Sequence, residues 1–409
     1  MNIQIQPHKL MGTVRIPSSK SIAHRLLICA ALSKGISHIS DISFSKDIEA
    51  TISVLKAFGA EFETLDNTVT VTGISERPET ASADCCESGS TLRFLIPVAA
   101  ALGIETTFTG QGRLPQRPIT PYLRELKTID FHNYQNTMPF TISGQLQSGN
   151  FSFEGDISSQ FITGMLLALP LLREDSELLL TSPLESRPYV DMTVHCMEQF
   201  GICVKALENG WHIFGNQHYQ AKSLSVEGDF SQAAFFYVAN AIGNQIILEN
   251  IPAKSVQGDR KIVELIEKIC YQKNDAQEKF LIDAKDIPDL VPILAVLATF
   301  SDRPTIISNA QRLAIKESNR LETTAAMLNT LGGNVTVLPD GLEIYPASLH
   351  GGTVDSAGDH RIAMCAAIAA SRASEPVTIL GAECVEKSYP AFFQDYQNLG
   401  GIIHGIHLE

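Results

Sequence analysis

The feature that most constrains the fold of this chain is a unit of about seventy residues that recurs six times. Polar clusters such as "SSKSIAHR" and "GDHRIAM" each lead into a strongly apolar segment, and they fall at residues 19, 89, 158, 229, 289 and 359. The intervals between these positions are 70, 69, 71, 60 and 70 residues. Self-similarity at a fixed spacing is typical of a chain built from copies of one structural unit. The clusters contain residues that commonly cap helix N-termini, so each is predicted to begin a helix.

A second helix is predicted in every copy. Segments such as "SRPYVDMTVHCMEQFG" and "KESNRLETTAAMLNTLGG" begin with cations or proline and continue with the apolar spacing of an amphipathic helix. A β-rich run such as "SELLLTS" or "PVTILG" separates the two helices, and a pair of strand-like runs follows the second one. The unit is therefore βαβαββ, and the chain is predicted to be an α/β protein.

Two copies depart from this pattern. The second copy looks abbreviated around "TIDFHNYQNTMPFTISG". The fourth copy is ten residues short, since its interval is 60 residues rather than 70, and the polar "YQKNDAQEK" stands where a strand pair is expected. Both departures lie away from the polar clusters, so we expect them to alter shape or stability rather than chemistry.

Composition excludes several classes of function. A chain of 409 residues that is 44% hydrophobic can bury the cores of two or three domains. Its formal net charge of −14 argues against a general nucleic-acid binder. Apolar runs are far shorter than the ~20 residues of a membrane span and no leader is visible, so we expect a soluble cytoplasmic protein. Eight scattered cysteines without a CxxC pair, and no phosphate-binding glycine motif, predict no disulfide framework, metal or cofactor.

Cations stand where the helix dipole disfavours them. Lys20 and Arg25 occupy the first turn of a predicted apolar helix, and Arg93 and Arg361 take the same place in other copies. The positive N-terminus of a helix favours anions, so such cations are useful only when an anion arrives to face them. Further cations mark the onsets of second helices, namely Arg117, Arg187, Lys316, Arg320 and Lys387. If the copies pack about a common axis, the cations form a site for a multiply charged ligand that carries phosphate and carboxylate groups.

Several polar residues of these clusters allow two interpretations. Ser158, Ser159 and Gln160 either cap their helix or donate hydrogen bonds to phosphate oxygens. Asp289 precedes the apolar helix "LVPILAVLATF", and an N-cap role explains it well. Glu317 and Asp359 either pair with nearby arginines or act as a general acid or base, because carboxylates within a cationic cluster are candidates for proton transfer.

Nine motifs, in order along nearly the whole chain, resemble those of one family. They are "PSSKSIAHR", "ESGSTLRF", "LPQRPI", "SSQFITG", "SRPYVD", "IPDLVPILAVLATF", "IKESNR", "GDHRIAM" and "EKSYP". Together they resemble the 3-phosphoshikimate 1-carboxyvinyltransferases, the enolpyruvyl-shikimate-phosphate synthases. The resemblance implies two inverse α/β domains, each of three βαβαββ copies, joined by a two-strand hinge near residues 15–18 and 226–228. One domain would span residues 16–227 and the other residues 1–15 with 228–409, with the N-terminal strand in the C-terminal half and the active site in the cleft between the domains.

The resemblance also implies the ligands and the residues that hold them. Shikimate 3-phosphate would be held by Lys20, Ser21, Arg25, Ser158, Ser159, Gln160, Ser186, Tyr189, Asp289, Arg312 and Lys316. Phosphoenolpyruvate would be held by Lys20, Gly89, Arg117, Gln160, Arg320, Arg361 and Lys387. Asp289, Glu317 and Lys20 are the candidates for proton transfer, and the sequence does not decide which is acid and which is base. The resemblance implies an enzyme without a cofactor or metal, and glyphosate would compete for the phosphoenolpyruvate site beside Gly89. Nothing in the sequence indicates an obligate partner, so we expect a monomer.

Some residues differ from the pattern of this family, and two other functions can be compared with the same motifs. The chain has Glu87-Ser88-Gly89 where the family usually has Asn-Ala-Gly, and Arg312 stands where asparagine is common. The related UDP-N-acetylglucosamine enolpyruvyl transferases commonly carry a reactive cysteine five residues before the loop arginine, a place taken here by Gly112. A non-catalytic anion-binding relative would be expected to have lost some of Asp289, Glu317 and Lys387, and all three are present.

Overall fold

A computed structural model describes residues 1–270 and 279–406 of the protein, and its contacts divide into two compact units. The central unit consists of residues 18–227, and the split unit consists of residues 1–17 together with 228–409. The chain therefore passes between the units twice, at residues 17–18 and 227–228. The first passage lies two residues beyond the boundary expected from the sequence. The reason is that the Ile16 amide donates to the carbonyl of Glu249 and the Ile16 side chain is buried in the core of the split unit.

Strands and helices alternate along both units. The strands are β1 (Asn2–Gln6), β2 (Met11–Arg15), β3 (Ile36–Ser40), β4 (Glu61–Leu65), β5 (Thr68–Thr72), β6 (Thr80–Asp84), β7 (Glu105–Thr109), β8 (Ile129–His132), β9 (Phe140–Gly144), β10 (Asn150–Phe153), β11 (Ser176–Leu180), β12 (Val204–Leu207), β13 (Gly210–Ile213), β14 (Ser223–Ser225), β15 (Gln245–Glu249), β16 (Phe280–Asp283), β17 (Thr305–Ser308), β18 (Asn334–Leu338), β19 (Gly341–Tyr345), β20 (Gly352–Asp355), β21 (Val377–Leu380) and β22 (Ile402–Ile406). The helices are α1 (Lys20–Ala31), α2 (Lys46–Ala57), α3 (Gly89–Leu102), α4 (Thr120–Glu125), α5 (Ser159–Ala168), α6 (Arg187–Gln199), α7 (Phe230–Ala241), α8 (Lys261–Cys270), α9 (Val291–Thr299), α10 (Arg320–Thr330), α11 (His360–Ala370) and α12 (Phe392–Asn398).

Five four-stranded sheets share one topology. In the sheet β6-β7-β9-β8 the first two strands are parallel, and each later neighbour is antiparallel. The other four are β10-β11-β13-β12, β16-β17-β19-β18, β14-β3-β5-β4 and β20-β21-β1-β22. In four of these sheets a helix follows each of the first two strands, which is the predicted βαβαββ unit; in the sheet β14-β3-β5-β4 the first strand comes from the end of the unit. In the fourth copy, β15 pairs with β2 alone among the described residues, and most of "YQKNDAQEK" lies outside them, since residues 271–278 are not described.

Two strands pair far from their place in the chain. The N-terminal strand β1 lies between β21 and β22, with Ile3 opposite both Ile379 and Gly405. Conversely β14, near the end of the central unit, runs parallel to β3 and completes the first sheet of that unit. The first of these pairings confirms that the N-terminal strand belongs with the C-terminal half.

The second copy has its strand pair after all. The strands β8 and β9 form an antiparallel pair inside the segment that looked abbreviated, with Ile129 opposite Gly144. The shortened element is instead the second helix, because α4 spans only six residues. The second copy is therefore abbreviated just before the segment named from the sequence, in its second helix rather than in its strands.

Each unit is built around its own hydrophobic core. The first helices of the copies lie inside these cores, and every residue of α9 is buried. A helix that is apolar on all sides is typically buried, which explains why these segments carry no polar stripe. Second helices such as α8 bury only one face, with Ile262, Leu265 and Ile269 turned inward. Within the described residues, no helix combines the length and the apolar character needed to cross a membrane.

Candidate active site

Helix caps place most of the predicted polar clusters at helix starts. The side chains of Ser19, Ser88, Ser158, Asp229 and Asp359 each accept a backbone N–H from the first turn of the helix that follows. The sixth cluster differs. Helix α9 is preceded by a 3₁₀ turn over Pro288–Leu290 and has no side-chain cap, so the N-cap interpretation of Asp289 is wrong.

Arg320 lies at the centre of a carboxylate cluster in the split unit. The guanidinium is about 2% exposed and donates to three carboxylates. Its Nε lies 2.8 Å from Asp359 Oδ2, its Nη1 2.8 Å from Asp289 Oδ1, and its Nη2 2.6 Å from Glu317 Oε2. Asp359 uses its other oxygen to accept the amide of Arg361, so it is both the predicted cap and an ion-pair partner. The arrangement brings together residues from the fifth and sixth copies of the repeat.

Asp289 is shared between two arginines. Its Oδ1 accepts from Arg320, while its Oδ2 lies 3.1 Å from Nη2 of Arg361. Arg361 also donates to the backbone carbonyl of Asp289 and, at 2.8 Å, to Oγ of Ser231. Burial alone would raise the pKa of Asp289, but the charges of Arg361, Lys316 and Arg320 hold that pKa well below its ordinary value. Asp289 is therefore ionised at neutral pH.

Three further predicted cations belong to the split unit. Burial lowers the pKa of Lys316 to about 8, and its electrostatic neighbours include Asp289, Arg320, Glu317 and Arg312. Arg312 is buried in a 3₁₀ helix and donates to the carbonyl of Lys285. Lys387 is buried at the end of the 3₁₀ helix Ala382–Lys387. Lys316 therefore belongs to the Arg320 cluster, whereas Lys387 lies on a different 3₁₀ helix.

The central unit holds the cations of the first helix. Lys20 Nζ lies 3.0 Å from Oδ2 of Asp47, a buried residue of α2. Arg25 is buried deeper and spans helices: its Nε donates to Thr193 Oγ1 at 2.8 Å, and its Nη2 donates to the carbonyl of Tyr189 at 2.9 Å. Its Nη1 donates to the carbonyl of Ser21. Burial lowers the pKa of Arg25 to about 10, so the residue stays charged at neutral pH.

A second group in this unit forms around the start of α3. A Cβ on Gly89 would stand 2.7 Å from Nη1 of Arg117 and 3.5 Å from Oε1 of Gln160. Gln160 in turn accepts from Nη1 of Arg93 at 2.8 Å and donates to Oγ of Ser90 at 3.1 Å. The structure therefore brings Gly89, Arg117 and Gln160 together, as three of the residues implied for phosphoenolpyruvate. Two guanidinium groups and a helix N-terminus make this place suitable for an anion.

Other predicted residues stand at helix starts of the same unit. Ser158 caps α5, and Ser159 and Gln160 are its first two residues. Ser186 precedes α6 in the left-handed region, with φ of 55°. Glu87, the departure from the family pattern, lies against the backbone of Gly112, where an added Cβ would approach its carboxylate. That contact is on the turn leading to Arg117.

Sequence reasoning missed some residues of both groups. Asp47 stands in the first turn of α2, where an acidic residue is ordinary and gives no signal. Asp259 and Ser231 also went unnoticed, since Asp259 stands beside the cations Arg260 and Lys261 at the onset of the second helix in the fourth copy. An acidic residue at a helix onset is common, so the sequence gives no signal that identifies Asp259. No group of His, Cys, Asp and Glu able to hold a metal occurs among residues 1–270 and 279–406.

Comparisons with known proteins agree with the motifs. The family model for EPSP synthase (3-phosphoshikimate 1-carboxyvinyltransferase) matches residues 5–396. A 3-phosphoshikimate 1-carboxyvinyltransferase of Clostridium kluyveri is 45% identical over 416 residues, covering 98% of both chains. One of Clostridium perfringens is 42% identical over 420 residues, covering 98% of this chain and 99% of the relative. The solved structure of an EPSP synthase from Acinetobacter baumannii has the same fold, with a TM-score of 0.82 at 24% identity over 99% of this chain and 100% of that one. This chain therefore belongs to the EPSP synthase family.

Proposed function

We propose that this protein transfers the enolpyruvyl group of phosphoenolpyruvate to the 5-hydroxyl of shikimate 3-phosphate, releasing phosphate, in the biosynthesis of chorismate and the aromatic amino acids. The observation that carries the proposal is the full-length relationship to relatives that bear this activity as their name. The clusters around Arg320 and Gly89 support it, since they supply the cations and carboxylates that the reaction requires.

Both units contribute ligand-binding residues in this proposal. The two substrates carry roughly six negative charges, taking about −2 for each phosphate at pH 7. We assign shikimate 3-phosphate to Lys20, Ser21, Arg25, Ser158, Ser159, Gln160, Ser186, Tyr189, Asp289, Arg312 and Lys316. Phosphoenolpyruvate is assigned to Lys20, Gly89, Arg117, Gln160, Arg320, Arg361 and Lys387. Buried guanidinium groups suit this task because they stay charged and bind carboxylate and phosphate in a fixed geometry.

Proton transfer requires a base near the 5-hydroxyl and an acid near C3 of phosphoenolpyruvate. We assign the base to Asp289, because it is ionised at neutral pH and lies among three cations. Those cations make it a weak base in the free protein. When anionic substrates neutralise Arg361 and Lys316, the pKa of Asp289 returns toward its ordinary value and the carboxylate accepts a proton more readily. Glu317, on the same guanidinium, and Lys20, beside Asp47, remain the candidates for the acid.

Fixed cations stabilise the negative charge that shifts during addition and elimination. The negative charge on the phosphate and carboxylate of phosphoenolpyruvate shifts as the tetrahedral adduct forms and breaks down. Arg361 is held by Asp289 and Ser231, so its guanidinium needs no reorganisation when that charge develops. Preorganised donors of this kind are commonly the largest single contribution to catalysis.

The deciding experiment measures phosphate release from phosphoenolpyruvate with shikimate 3-phosphate or with UDP-N-acetylglucosamine as acceptor. We expect release with the first acceptor alone, and a product mass equal to shikimate 3-phosphate plus the enolpyruvyl group. For the base, Asp289→Asn is expected to lower kcat by about 10²–10⁴-fold. The exposed Asp302→Asn removes the same charge elsewhere and should leave kcat unchanged. Release with the nucleotide sugar alone would refute the proposed function.

Location and assembly complete the proposal. We place the protein in the cytoplasm. We also propose that it is a monomer, because each unit has a hydrophobic core of its own. Light scattering during size-exclusion chromatography is expected to give the mass of one chain, about 44.6 kDa. A mass twice as large at micromolar concentration would contradict this part.

A further inference from the structure

Helix α3, which begins at Gly89, contains a proline in its interior. Pro97 has no N–H, so the carbonyl of Arg93, four residues earlier, cannot receive the backbone hydrogen bond that a helix ordinarily supplies. The proline ring also pushes that carbonyl away from the helix axis. A buried carbonyl without a donor destabilises a fold, so another group is expected to donate to it.

The phenol hydroxyl of Tyr122 on α4 is that donor. Its Oη lies 2.5 Å from the carbonyl oxygen of Arg93 and 3.2 Å from the carbonyl oxygen of Phe161. The hydroxyl has one proton, and the shorter contact assigns it to Arg93. Burial raises the pKa of Tyr122 well above its ordinary value, so the phenol keeps this proton at neutral pH. The hydroxyl therefore takes the place of the amide that is missing at position 97.

Helices α3 and α5 approach each other closely around this hydroxyl. A Cβ on Gly164 of α5 would collide with the Arg93 carbonyl oxygen and with Tyr122 Oη, and would stand 2.9 Å from Cγ of Pro97. Glycine at this position therefore leaves the space that the hydroxyl occupies. The ring of Tyr122 is fully buried and meets the ring of Phe161 edge-on, with the centroids 4.9 Å apart. Packing thus fixes the direction in which the hydroxyl points.

The side chain of Arg93 connects this backbone contact to the residues assigned to phosphoenolpyruvate. Its Nη1 donates to Oε1 of Gln160 at 2.8 Å, and its Nη2 donates to the carbonyl of Pro118 at 3.2 Å. A guanidinium has donors only, so the oxygen of Gln160 faces it and the amide nitrogen donates to Ser90. Pro118 directly follows Arg117 in the chain. Arg93 therefore holds both the Gln160 amide and the backbone next to Arg117.

We propose that Tyr122 is a positioning residue for the phosphoenolpyruvate site. Its hydroxyl replaces the helical amide that Pro97 lacks and so fixes the place of Arg93. Arg93 in turn orients Gln160 and the backbone beside Arg117. Both of these residues are assigned to phosphoenolpyruvate, so this inference rests on the proposed function. Without the hydroxyl, the Arg93 carbonyl loses its donor, and the affinity for phosphoenolpyruvate should fall.

Three substitutions separate positioning from stability. Tyr122→Phe removes the hydroxyl and keeps the ring. Pro97→Ala restores an amide at position 97, which can donate to the Arg93 carbonyl as in an uninterrupted helix. Tyr219→Phe is the matched control, because Tyr219 is also buried in the central unit and donates to a backbone carbonyl, that of Leu167, at 2.9 Å. Leu167 lies near the end of α5 opposite to Gln160.

We expect Tyr122→Phe to raise the KM for phosphoenolpyruvate about three- to tenfold, the usual effect of losing one hydrogen bond. The change in kcat should be smaller, since the assigned base, Asp289, belongs to the split unit. In the Pro97→Ala background, adding Tyr122→Phe should change this KM less than twofold, and Tyr219→Phe should leave it unchanged. An unchanged KM in Tyr122→Phe, an equal rise in Tyr219→Phe, or an undiminished effect in the Pro97→Ala background would overturn the proposal.

Thermal unfolding, followed by the fluorescence of Trp211 in the same unit, tests the hydrogen bond without substrate. Tyr122→Phe and Tyr219→Phe should each lower the unfolding temperature by roughly 3–8 °C, as loss of a buried hydrogen bond predicts for a unit of this size. The loss from Tyr122→Phe should shrink in the Pro97→Ala background, because two donors that share one carbonyl are not additive. Strict additivity would refute the replacement of the amide by the hydroxyl, whereas a wild type that forms no product refutes the proposed function alone.

Discussion

Replacement of Arg320 by glutamine tests the carboxylate cluster most directly. The substitution keeps a polar side chain of moderate length but removes the one group that bonds to Asp289, Glu317 and Asp359 at once. Removing one partner of a buried ion pair costs about 3–5 kcal/mol, because an uncompensated buried charge remains. Arg361 and Lys316 still face Asp289, whereas Asp359 is fully buried and accepts from the hydroxyl of Ser318 and the backbone amide of Arg361. We therefore expect Arg320→Gln to lower the free energy of unfolding by about 3–5 kcal/mol at pH 8.

The loss should depend on pH in a definite direction. Without the guanidinium, buried negative charge in the cluster is left uncompensated, and binding of a proton relieves it. Stability of the variant then increases as the pH falls, by about 1.4 kcal/mol per unit for each proton bound. Urea unfolding at pH 5, 6, 7 and 8, followed by circular dichroism, measures this slope.

The control is an arginine with similar partners on the surface. Arg124 bonds to Glu154 and Glu125, but its side chain is 47% exposed. Exposed ion pairs contribute about 0–1 kcal/mol, so Arg124→Gln should lose less than about 1 kcal/mol. Trp211 is the single tryptophan and lies in the same unit as Arg124, so its fluorescence follows that control. Equal losses in the two variants, or a loss in Arg320→Gln that does not vary with pH, would refute the reasoning.

Three further predictions concern other parts of the site. Arg361→Ala and Lys387→Ala should each lower kcat/KM for phosphoenolpyruvate roughly 30-fold or more, since loss of one desolvated charged contact costs ~2–5 kcal/mol; a near-normal value would remove that residue from the site. Gly89→Ala should displace the Arg117 guanidinium, which a Cβ would approach to 2.7 Å, and should raise the glyphosate inhibition constant more than the KM for phosphoenolpyruvate; equal shifts in paired inhibition curves would contradict this. Burial lowers the pKa of His24 to about 3, so the protein should lose up to about 1.4 kcal/mol of stability per pH unit below 6.5 on its account. His24→Asn should weaken that acid dependence in urea unfolding, and an identical pH slope would show that His24 is not the cause.

The repeating unit could be predicted from the sequence because its signals lie close together in the chain. Caps such as Ser88 and Asp359 precede apolar runs at a constant spacing, and both sit at helix starts in the structure. The strand β8 of the second copy gives little local signal, since it has only four residues, two of which are polar. Its pairing with β9 comes from the sheet, where tertiary context overrides weak local preference.

The polar clusters at helix starts could be predicted from the sequence, but the ion pairs that their residues form could not. Asp289 looks like an N-cap because only its neighbours in the chain are visible, and its actual partners, Arg320 and Arg361, lie 31 and 72 positions away. Asp259 was invisible for the same reason, because an acidic residue at a helix onset is common and its burial comes from other elements. Contacts between residues that are far apart in the chain form only on folding, and they produce no periodic pattern in the sequence.

The pairing of β1 with β21 and β22 determines which of the two units can complete its folding first during synthesis. All of the central unit lies in one continuous stretch and can fold once residue 227 has left the ribosome. The split unit has to wait, because Ile3 finds its partner Gly405 only after nearly the whole chain has been made. At 5–20 residues per second this delay lasts about 20–80 seconds, during which Ile3 and Ile5 of the N-terminal strand remain without their sheet. Domains generally fold N-terminal first, and here the earliest residues to emerge are among the last to find their place.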